Sequence, residues 1–225
     1  MYKKFFKGFL DFTLSLVGII LLSPILIILI LLGFIFMRGN PFFVQKRVGK
    51  NEKIFSLIKF RTMDNRKDKE GNLLPDEVRL NKYGRILRKT SLDELPELFN
   101  ILKGDMSIIG PRPLLVQYLP YYTEKERHRH DCRPGLSGLA QINGRNFISW
   151  EEIFEYDLAY LANISIKNDF KIIFKTIRKV ISGDDIADLS KIKIGKDGEE
   201  YCVINGEKYF LRKELCIERK IIKNK

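Results

Sequence analysis

The sequence predicts an α+β protein, predominantly helical, with a membrane-embedded N-terminal segment, interfacial amphipathic helices and a small sheet. Three observations lead to this prediction: a long apolar run without charge, several stretches whose apolar residues recur at helical spacing, and two short strand-like stretches separated by a turn. A chain of 225 residues holds one domain with appendages, or at most two. We predict a membrane-embedded segment over residues 1–38, a main domain over residues 39–182 and a C-terminal extension over residues 183–225.

The apolar run extends from Phe12 to Met37 and is long enough for a transmembrane helix. Ser23-Pro24 lies near its middle, where a proline removes a backbone hydrogen bond and bends a helix. Basic residues flank both ends, namely Lys3, Lys4, Lys7, Arg38, Lys46, Arg47 and Lys50. The positive-inside rule then places both ends in the cytoplasm. We predict a re-entrant helix-break-helix; an ordinary span with a proline kink is the alternative.

The net charge of +12 calls for a partner of opposite sign: nucleic acid, an anionic membrane surface or a phosphorylated substrate. Nucleic acid is the weakest of the three, because the charge flanks an apolar segment and is accompanied by paired acids. The three cysteines are far apart and odd in number, which indicates a reducing compartment rather than a disulfide framework.

Residues 40–63 read as a short strand, a turn at Gly49-Lys50-Asn51 and a second strand from Ile54 to Phe60. This hairpin projects polar side chains, namely Gln45, Arg47, Lys59 and Arg61. A weakly amphipathic helix is predicted to end near Arg88.

The stretch from Lys89 to Pro113 carries the clearest chemical pattern. Ser91 and Glu94 form a capping box, which predicts a helix starting at Ser91 and ending at Gly104. Asp93 and Glu94 would lie in its first turn, where backbone N–H groups and the helix dipole keep carboxylates ionised and attract anions. Ordinary helix capping is the alternative explanation of this pair.

Glycine- and proline-rich loops deliver two arginines. The first loop restricts the backbone around Arg112. The second loop, residues 133–145, ends in Arg145, and its glycines would let the backbone approach an anion. Between the loops, residues 114–122 predict a helix at the membrane interface or in the core, followed by a capping box at Thr123 and Glu126.

Two further helices and a hairpin complete the pattern. Asp157 lies on the apolar face of a helix that starts near Trp150. Asn168-Asp169 is predicted to cap the next helix, whose apolar residues share one face, packed on a core or lying on anionic lipid. These apolar residues are Phe170, Ile173, Phe174, Ile177, Val180 and Ile181. Strands Tyr201–Ile204 and Lys208–Leu211 flank Asn205-Gly206 in the extension, which predicts a hairpin.

Over residues 3–181 the chain resembles the bacterial sugar transferases, the monotopic polyprenyl-phosphate phosphoglycosyl transferases. The motifs that carry the resemblance are FVQKRVG, KFRTM, TSLDELPELFNILKGDMSIIGPRP, RPGLSGLAQINGR and DLAYLANISIKNDFKIIFKT, together with Ser23-Pro24 in the apolar segment. It looks closest to the minimal Campylobacter-type members that initiate N-linked glycan assembly with a UDP-activated diacetamido sugar.

The resemblance implies transfer of a phospho-sugar from a UDP-sugar to polyprenyl phosphate, with release of UMP. Asp93 would be the nucleophile that forms an aspartyl-phosphosugar intermediate, and Glu94 would assist, for example by taking the acceptor's proton. Mg²⁺ would neutralise the diphosphate with Asp93 as its protein contact. Substrate phosphates would be held by Lys59, Arg88, Arg112 and Arg145, while Asp157 would orient one of those arginines or the nucleotide.

The same resemblance implies a location at the cytoplasmic face of the bacterial inner membrane, with residues 39–182 as a cytoplasmic catalytic domain. A non-catalytic membrane-surface module for anionic lipid or a protein partner is the alternative from another class. A phosphohydrolase that uses water with the same two carboxylates is the enzymatic alternative. The sugar, a homodimer and the purpose of the extension are left open.

Overall fold

The computed structural model describes residues 2–144, 148–182, 193–194, 200–204 and 207–210. Its α-helices are α1 (Lys7–Met37), α2 (Asp76–Arg79), α3 (Lys82–Thr90), α4 (Glu97–Lys103), α5 (Glu124–Arg127), α6 (Leu139–Ile142), α7 (Trp150–Ala162) and α8 (Ile166–Ser182). Its strands are β1 (Phe42–Val48), β2 (Ile54–Phe60), β3 (Ser107–Ile109), β4 (Gly135–Ser137), β5 (Lys193–Ile194), β6 (Glu200–Ile204) and β7 (Glu207–Phe210). The predicted α+β class, predominantly helical with little sheet, is confirmed.

Helix α1 is continuous from Lys7 to Met37 and is long and apolar enough to cross a membrane. Pro24 lies inside it and lacks the N–H that would bond to the carbonyl of Ile20. The hydroxyl of Ser23 donates to that same carbonyl oxygen over 2.8 Å, so the freed acceptor is satisfied. The predicted break at Ser23-Pro24 is therefore not an interruption of the helix, and the re-entrant topology stays a prediction.

Buried polar contacts fix the N-terminal part of α1 to the main domain. The ammonium group of Lys7 lies 2.8 Å from the Asp169 carboxylate on α8. The Asp11 carboxylate accepts hydrogen bonds from the Ser107 hydroxyl at 2.7 Å and from the Ile108 N–H at 3.0 Å. Buried charges of this kind are stable only when they are paired, so they determine where the helix lies.

The C-terminal part of α1 is fixed to the same domain. The hydroxyl of Tyr83 on α3 donates to the carbonyl of Leu29 over 2.7 Å. The Asn81 amide donates to the carbonyl of Phe36 over 3.0 Å. Both ends of the apolar helix therefore contact one body, and its opposite side is left with exposed apolar residues, among them Phe9, Ile20, Leu21, Ile27, Leu31 and Ile35.

Three small sheets are present in the described part of the chain. Strands β1 and β2 pair antiparallel with Phe42 opposite Phe60, which confirms the predicted hairpin. Strands β3 and β4 pair parallel and join the two glycine-rich loops. In the extension, β6 and β7 pair antiparallel as predicted, and β5 adds a third strand.

Residues 116–121 form a 3₁₀ helix that packs on the core through Tyr118. Tyr118 and Tyr122 are buried in one apolar cluster with Trp150 and Phe154 of α7. Tyr118 meets Trp150 edge to face with 5.4 Å between ring centroids. The core alternative is therefore the correct one for this segment. The predicted capping box of Thr123 and Glu126 is confirmed at the start of α5.

Helix α8 begins at Ile166, so the prediction that Asn168-Asp169 caps it is wrong. Ser165 accepts a hydrogen bond from the Asn168 N–H instead. The Asp169 carboxylate points inward, where Lys7 and the hydroxyls of Tyr2 and Tyr160 bind it.

The apolar residues predicted on one face of α8 are largely exposed: Phe170, Phe174, Ile177 and Ile181 are between 53% and 81% accessible. The helix packs through Ile172, which is fully buried, and through Thr176, whose hydroxyl bonds with that of Ser137. The apolar stripe of α8 is thus an exposed outer surface, as is the apolar side of α1.

A fully buried ion pair connects α7 to the loop that carries Arg112. The Arg129 guanidinium donates twice to one oxygen of the Asp157 carboxylate, at 2.9 Å and 2.7 Å. Its Nη2 also donates to the carbonyl of Arg112 over 2.9 Å. Asp157 is 1% exposed and acts on the loop only through Arg129.

We expect Asp157→Asn to lower thermal stability strongly, because it leaves the Arg129 charge buried without its partner. Removing one member of a buried pair costs about 3–5 kcal/mol. Thermal melting of the detergent-solubilised chain measures this, with Glu155→Gln on the exposed side of α7 as the control. Equal melting temperatures for the two variants would contradict a structural role for Asp157.

Candidate active site

The turn between α3 and α4 places the two carboxylates at the centre of the site. Ser91 adopts a left-handed conformation with φ of 55°, and its N–H bonds back to the end of α3. A 3₁₀ turn over Leu92–Glu94 follows, and α4 begins only at Glu97. The prediction of a helix starting at Ser91 is therefore wrong. Pro96 would be its sixth residue, and it lacks the N–H that a regular α-helix needs there.

Glu94 binds two cations instead of capping a helix. Its Oε1 lies 2.8 Å from the ammonium of Lys59 at the end of β2 and 3.0 Å from Nη2 of Arg112. The Ser91 side chain makes no capping hydrogen bond. The S-x-x-E pattern therefore does not mark a helix cap here. Its glutamate belongs to a site in which charged residues distant in sequence come together.

Glu97 is a third carboxylate of the site that sequence reasoning missed. It is 3% exposed, and its Oε1 lies 3.0 Å from the Lys59 ammonium. Lys59 is therefore shared between Glu94 and Glu97. The signal was available in the sequence, because an acid three residues after Glu94 faces the same side of a helical turn.

Asp93 differs from both glutamates because its carboxylate accepts no hydrogen bond from any residue that the structure describes. Burial, together with the neighbouring charge of Glu94, raises its pKa to about 6 against the opposing charges of Lys59, Arg88 and Arg112. The expected lowering by a helix N-terminus is thus outweighed. The carboxylate is still largely ionised at neutral pH, and it is little solvated, which favours reactivity.

The two glutamates are shifted in opposite directions. Burial opposes ionisation of Glu94, but the charges of Arg112 and Lys59 hold its pKa below the ordinary value. Burial raises the pKa of Glu97 to about 7, because the charges of Lys59 and Arg112 offset this effect only in part and the charge of Glu94 adds to it. Glu94 is therefore a permanent anion that orients two cations, and Glu97 is the carboxyl of this pair that takes a proton first.

The predicted phosphate ligands come together in part. Lys59, Arg88 and Arg112 all lie close enough to Asp93 for their charges to act on its carboxyl. The Nε of Arg88 donates to the Thr62 hydroxyl over 2.9 Å. Arg145 lies outside the residues that the structure describes. Asp157, as described above, is buried and does not face this site.

The glycine-rich loops serve chain packing. A Cβ atom on Gly110 would lie 2.4 Å from the carbonyl oxygen of Arg133, and one on Gly135 would lie 2.1 Å from the N atom of Gly110. The two backbones meet so closely that no side chain fits between them. At these two positions glycine is required by backbone contact rather than by approach to an anion, and the contact fixes the strand that precedes Arg112.

No cluster of three or more metal-ligating side chains occurs among the described residues. Lys59 contacts one oxygen of Glu94 and one of Glu97, whereas Asp93 accepts no hydrogen bond from any described residue and is the carboxylate of the site without a competing cation contact there. Mg²⁺ commonly uses one or two carboxylates together with substrate phosphates and water. The residues present fit such a substrate-borne ion and do not fit an all-protein metal site.

Comparisons with known proteins identify the family of the chain. Residues 2–183 match the family model of the bacterial sugar transferases. EpsL of Bacillus subtilis, named an uncharacterised sugar transferase, is 58% identical over 149 residues, which cover 66% of this chain and 74% of EpsL.

Two longer relatives carry more specific names. The undecaprenyl-phosphate galactose phosphotransferase of Salmonella typhimurium is 35% identical over 200 residues, which cover 81% of this chain and 42% of that protein. The UDP-N-acetylgalactosamine-undecaprenyl-phosphate N-acetylgalactosaminephosphotransferase of Aeromonas hydrophila is 35% identical over 191 residues, 80% of this chain and 44% of its own length. The chain thus spans less than half of these two relatives. Because the family model covers most of the chain, the protein belongs to the bacterial sugar transferase family.

Proposed function

We propose that the protein transfers a phospho-sugar from a UDP-sugar to polyprenyl phosphate through a covalent intermediate on Asp93. The observation that carries the proposal is the contrast between the two adjacent carboxylates. Glu94 is held by Lys59 and Arg112, whereas Asp93 accepts no hydrogen bond from any residue that the structure describes and lies near three cations. A partly buried carboxylate of this kind beside cations is suited to attack a phosphorus atom.

In the first step an Asp93 carboxylate oxygen attacks the phosphorus that bears the sugar. The bond from that phosphorus to the bridging oxygen breaks, and UMP leaves with the electron pair. Lys59, Arg88 and Arg112 offset the charge on the transferred phosphoryl oxygens. The product is an aspartyl-phosphosugar and needs no added oxidant or reductant.

In the second step a phosphate oxygen of the polyprenyl phosphate attacks the same phosphorus. The bond to the Asp93 oxygen breaks, which regenerates the carboxylate and yields the polyprenyl-diphosphate sugar. Two displacements let UMP leave before the second anion enters, so fewer negative charges share the site at one time.

Glu94 acts by holding cations rather than by accepting a proton. The pKa of its carboxyl is lowered by Arg112 and Lys59 against the effect of burial, so it is a weak base. Its contacts at 2.8 Å and 3.0 Å fix both cations beside Asp93. This differs from the expectation that Glu94 removes the acceptor's proton.

Mg²⁺ is part of this proposal as an ion carried by the donor diphosphate. Asp93 would be its protein contact, and the ion would supply charge neutralisation at the phosphate oxygens. The protein itself positions the substrates and supplies the cations Lys59, Arg88 and Arg112.

A lipid phosphate and a soluble nucleotide sugar can meet only at a membrane surface. The exposed apolar residues of α1 and α8 provide such an attachment. Lys7 and the Phe36 carbonyl, near opposite ends of α1, both contact the main domain. A straight helix of this length is about 45 Å long, more than a bilayer core of about 30 Å. We therefore propose that both ends lie on the cytoplasmic side of the inner membrane.

The sugar remains a proposal of class only. The names of two relatives specify galactose and N-acetylgalactosamine. We propose a UDP-activated sugar of the N-acetylated amino or diacetamido class. UMP release from a panel of UDP-sugars, with and without polyprenyl phosphate, would identify it.

We expect Asp93→Asn to abolish UMP release and product formation, because the amide is not a nucleophile at phosphorus. The loss should be about 10³-fold or more. Intact-protein mass spectrometry with UDP-sugar alone should show a phospho-sugar adduct on the wild type and none on Asp93→Asn. Glu94→Gln should retain slow adduct formation.

Product formation by Asp93→Asn at near the wild-type rate would overturn the covalent mechanism. Release of free sugar phosphate without acceptor lipid would indicate the hydrolase alternative instead. Asp105→Asn is the matched control. Asp105 lies on the loop after α4, its substitution removes the same charge, and it is not among the residues whose charges act on Asp93.

Adduct formation should depend on pH through Asp93. Its pKa of about 6 lies above the ordinary value, so the reactive anion is present at neutral pH and is lost as the pH falls through about 6. Arg88→Gln removes a charge that lowers this pKa, so the acidic limb should move to higher pH. Stopped-flow measurement of UMP release across about pH 5 to about pH 8 tests this. A limb unmoved by Arg88→Gln would exclude titration of Asp93 as its origin.

The topology is tested by labelling cysteines with a membrane-impermeant maleimide in intact cells. With cysteine at position 2 or at position 39, we expect no labelling until the cells are permeabilised, because both ends of α1 face the cytoplasm. Periplasmic labelling at position 2 would overturn the re-entrant topology. Pro24→Ala should favour a straight spanning helix and so increase labelling there.

A further inference from the structure

Arg47 on β1 lines a pocket together with Glu97 and is not used by the mechanism above. The pocket is lined by Arg47, Leu57, Lys59, Glu97, Arg112 and Pro113. Gln45 and Arg47 are two residues apart on one strand, so their side chains share one face of the hairpin. Leu57, opposite Gln45 in the register, is buried on the same side. The strand therefore places Arg47 toward the site.

The guanidinium of Arg47 lacks the partners that the other cations have. Its Nε is buried and without a hydrogen-bond partner. Its Nη2 donates to the neutral side chain of Gln45 over 2.6 Å. Among the described residues no carboxylate lies within ion-pair distance of it, whereas Lys59 and Arg112 are both paired with Glu94. A buried donor without a partner requires an explanation, because it has lost its hydrogen bonds to water and has gained none within the protein.

The electrostatic surroundings point to a missing anion. Burial lowers the pKa of Arg47 to about 10, and the nearby charge of Arg112 adds to that shift more than the charge of Glu97 offsets it. Two guanidinium groups that repel one another at the edge of a pocket are stabilised when an anion binds between them. A planar guanidinium with free N–H groups matches the oxygens of a phosphate.

The cations near Asp93 narrow the choice of the substrate phosphate that Arg47 can bind. The cations that act on the Asp93 carboxyl are Lys59, Arg88 and Arg112, and Arg47 is not among them. Arg112 acts on both Asp93 and Arg47. Arg112 is therefore the cation whose charge acts on both groups.

We propose that Arg47 and Arg112 form a second phosphate subsite, which holds the substrate phosphate that Asp93 does not attack. This rests on the proposed function for the identity of the substrates. The group is either the nucleotide phosphate that leaves with UMP or the phosphate of the polyprenyl acceptor, and both offer the same oxygens to a guanidinium. The subsite binds charge and does not take part in bond making.

Binding without turnover tests the subsite directly. UMP and farnesyl phosphate, a short polyprenyl phosphate, are titrated calorimetrically into the full chain in detergent. We expect Arg47→Gln to weaken one of the two by about 10-fold to about 100-fold, as for loss of a charge-assisted hydrogen bond. Lys46→Gln, an exposed lysine on the other face of β1, removes the same charge and should leave both affinities unchanged. Arg47→Lys should recover part of the loss.

The probe whose affinity falls identifies the substrate that supplies the phosphate. Loss of UMP affinity with slower adduct formation assigns the nucleotide phosphate. Loss of farnesyl phosphate affinity with normal adduct formation and slow discharge to the lipid assigns the acceptor. Equal affinities for both probes in Arg47→Gln and Lys46→Gln, with melting temperatures like the wild type, would overturn the subsite. If Arg47→Gln does not fold, the same comparison is made with Arg47→Lys, and wild-type affinities there for both probes would overturn bidentate binding.

Failure of the proposed function gives a different result. If Asp93→Asn remained active while Arg47→Gln lost affinity for one probe, the covalent mechanism would be wrong and the phosphate subsite would stand. If the adduct formed on Asp93 while Arg47→Gln bound both probes normally, the covalent mechanism would stand and the phosphate subsite would be wrong.

Discussion

The ammonium group of Lys59 lies between the carboxylates of Glu94 and Glu97, and the rest of the site depends on this shared cation. It joins the end of β2 to the turn before α4, two elements distant in sequence. Glu94 extends the network to Arg112, whose backbone is held in turn by Arg129 and Asp157. Glu97, Arg129 and Asp157 are buried, so their charges are stable only while their partners are in place. Within the described residues, this network leaves Asp93 as the carboxylate of the site that accepts no hydrogen bond.

A second set of buried polar contacts relates the site to the membrane helix. Lys7 and Asp11 lie in an otherwise apolar segment and are bound by Asp169 and Ser107 of the main domain. Polar groups on an apolar helix are costly in lipid, so they turn one side of α1 toward the protein. The other side and the outer stripe of α8 remain apolar. The fold thereby keeps an exposed apolar surface on the same body as the turn that carries Asp93.

Several features could be predicted from local sequence because their causes are local. The β1–β2 hairpin follows from alternation around a turn, Gly104 ends α4 in a left-handed conformation with φ of 84°, and the box of Thr123 and Glu126 starts α5. The same local rule failed at Ser91 and Glu94. There a buried lysine and an arginine compete for the glutamate, and Pro96 prevents the regular helix that the box implies.

The sequence by itself determined the apolar segment, the hairpins, the family resemblance and the cluster of acids and arginines around residues 88–112. Only the tertiary structure decided which acid accepts no hydrogen bond from the described residues, that Glu97 belongs to the site, that Asp157 is buried against Arg129, and that Asp169 binds Lys7 instead of capping a helix. The reason is the same in each case. The state of a carboxylate depends on which cation the fold brings within about 3 Å, and such pairs join residues that no local pattern connects.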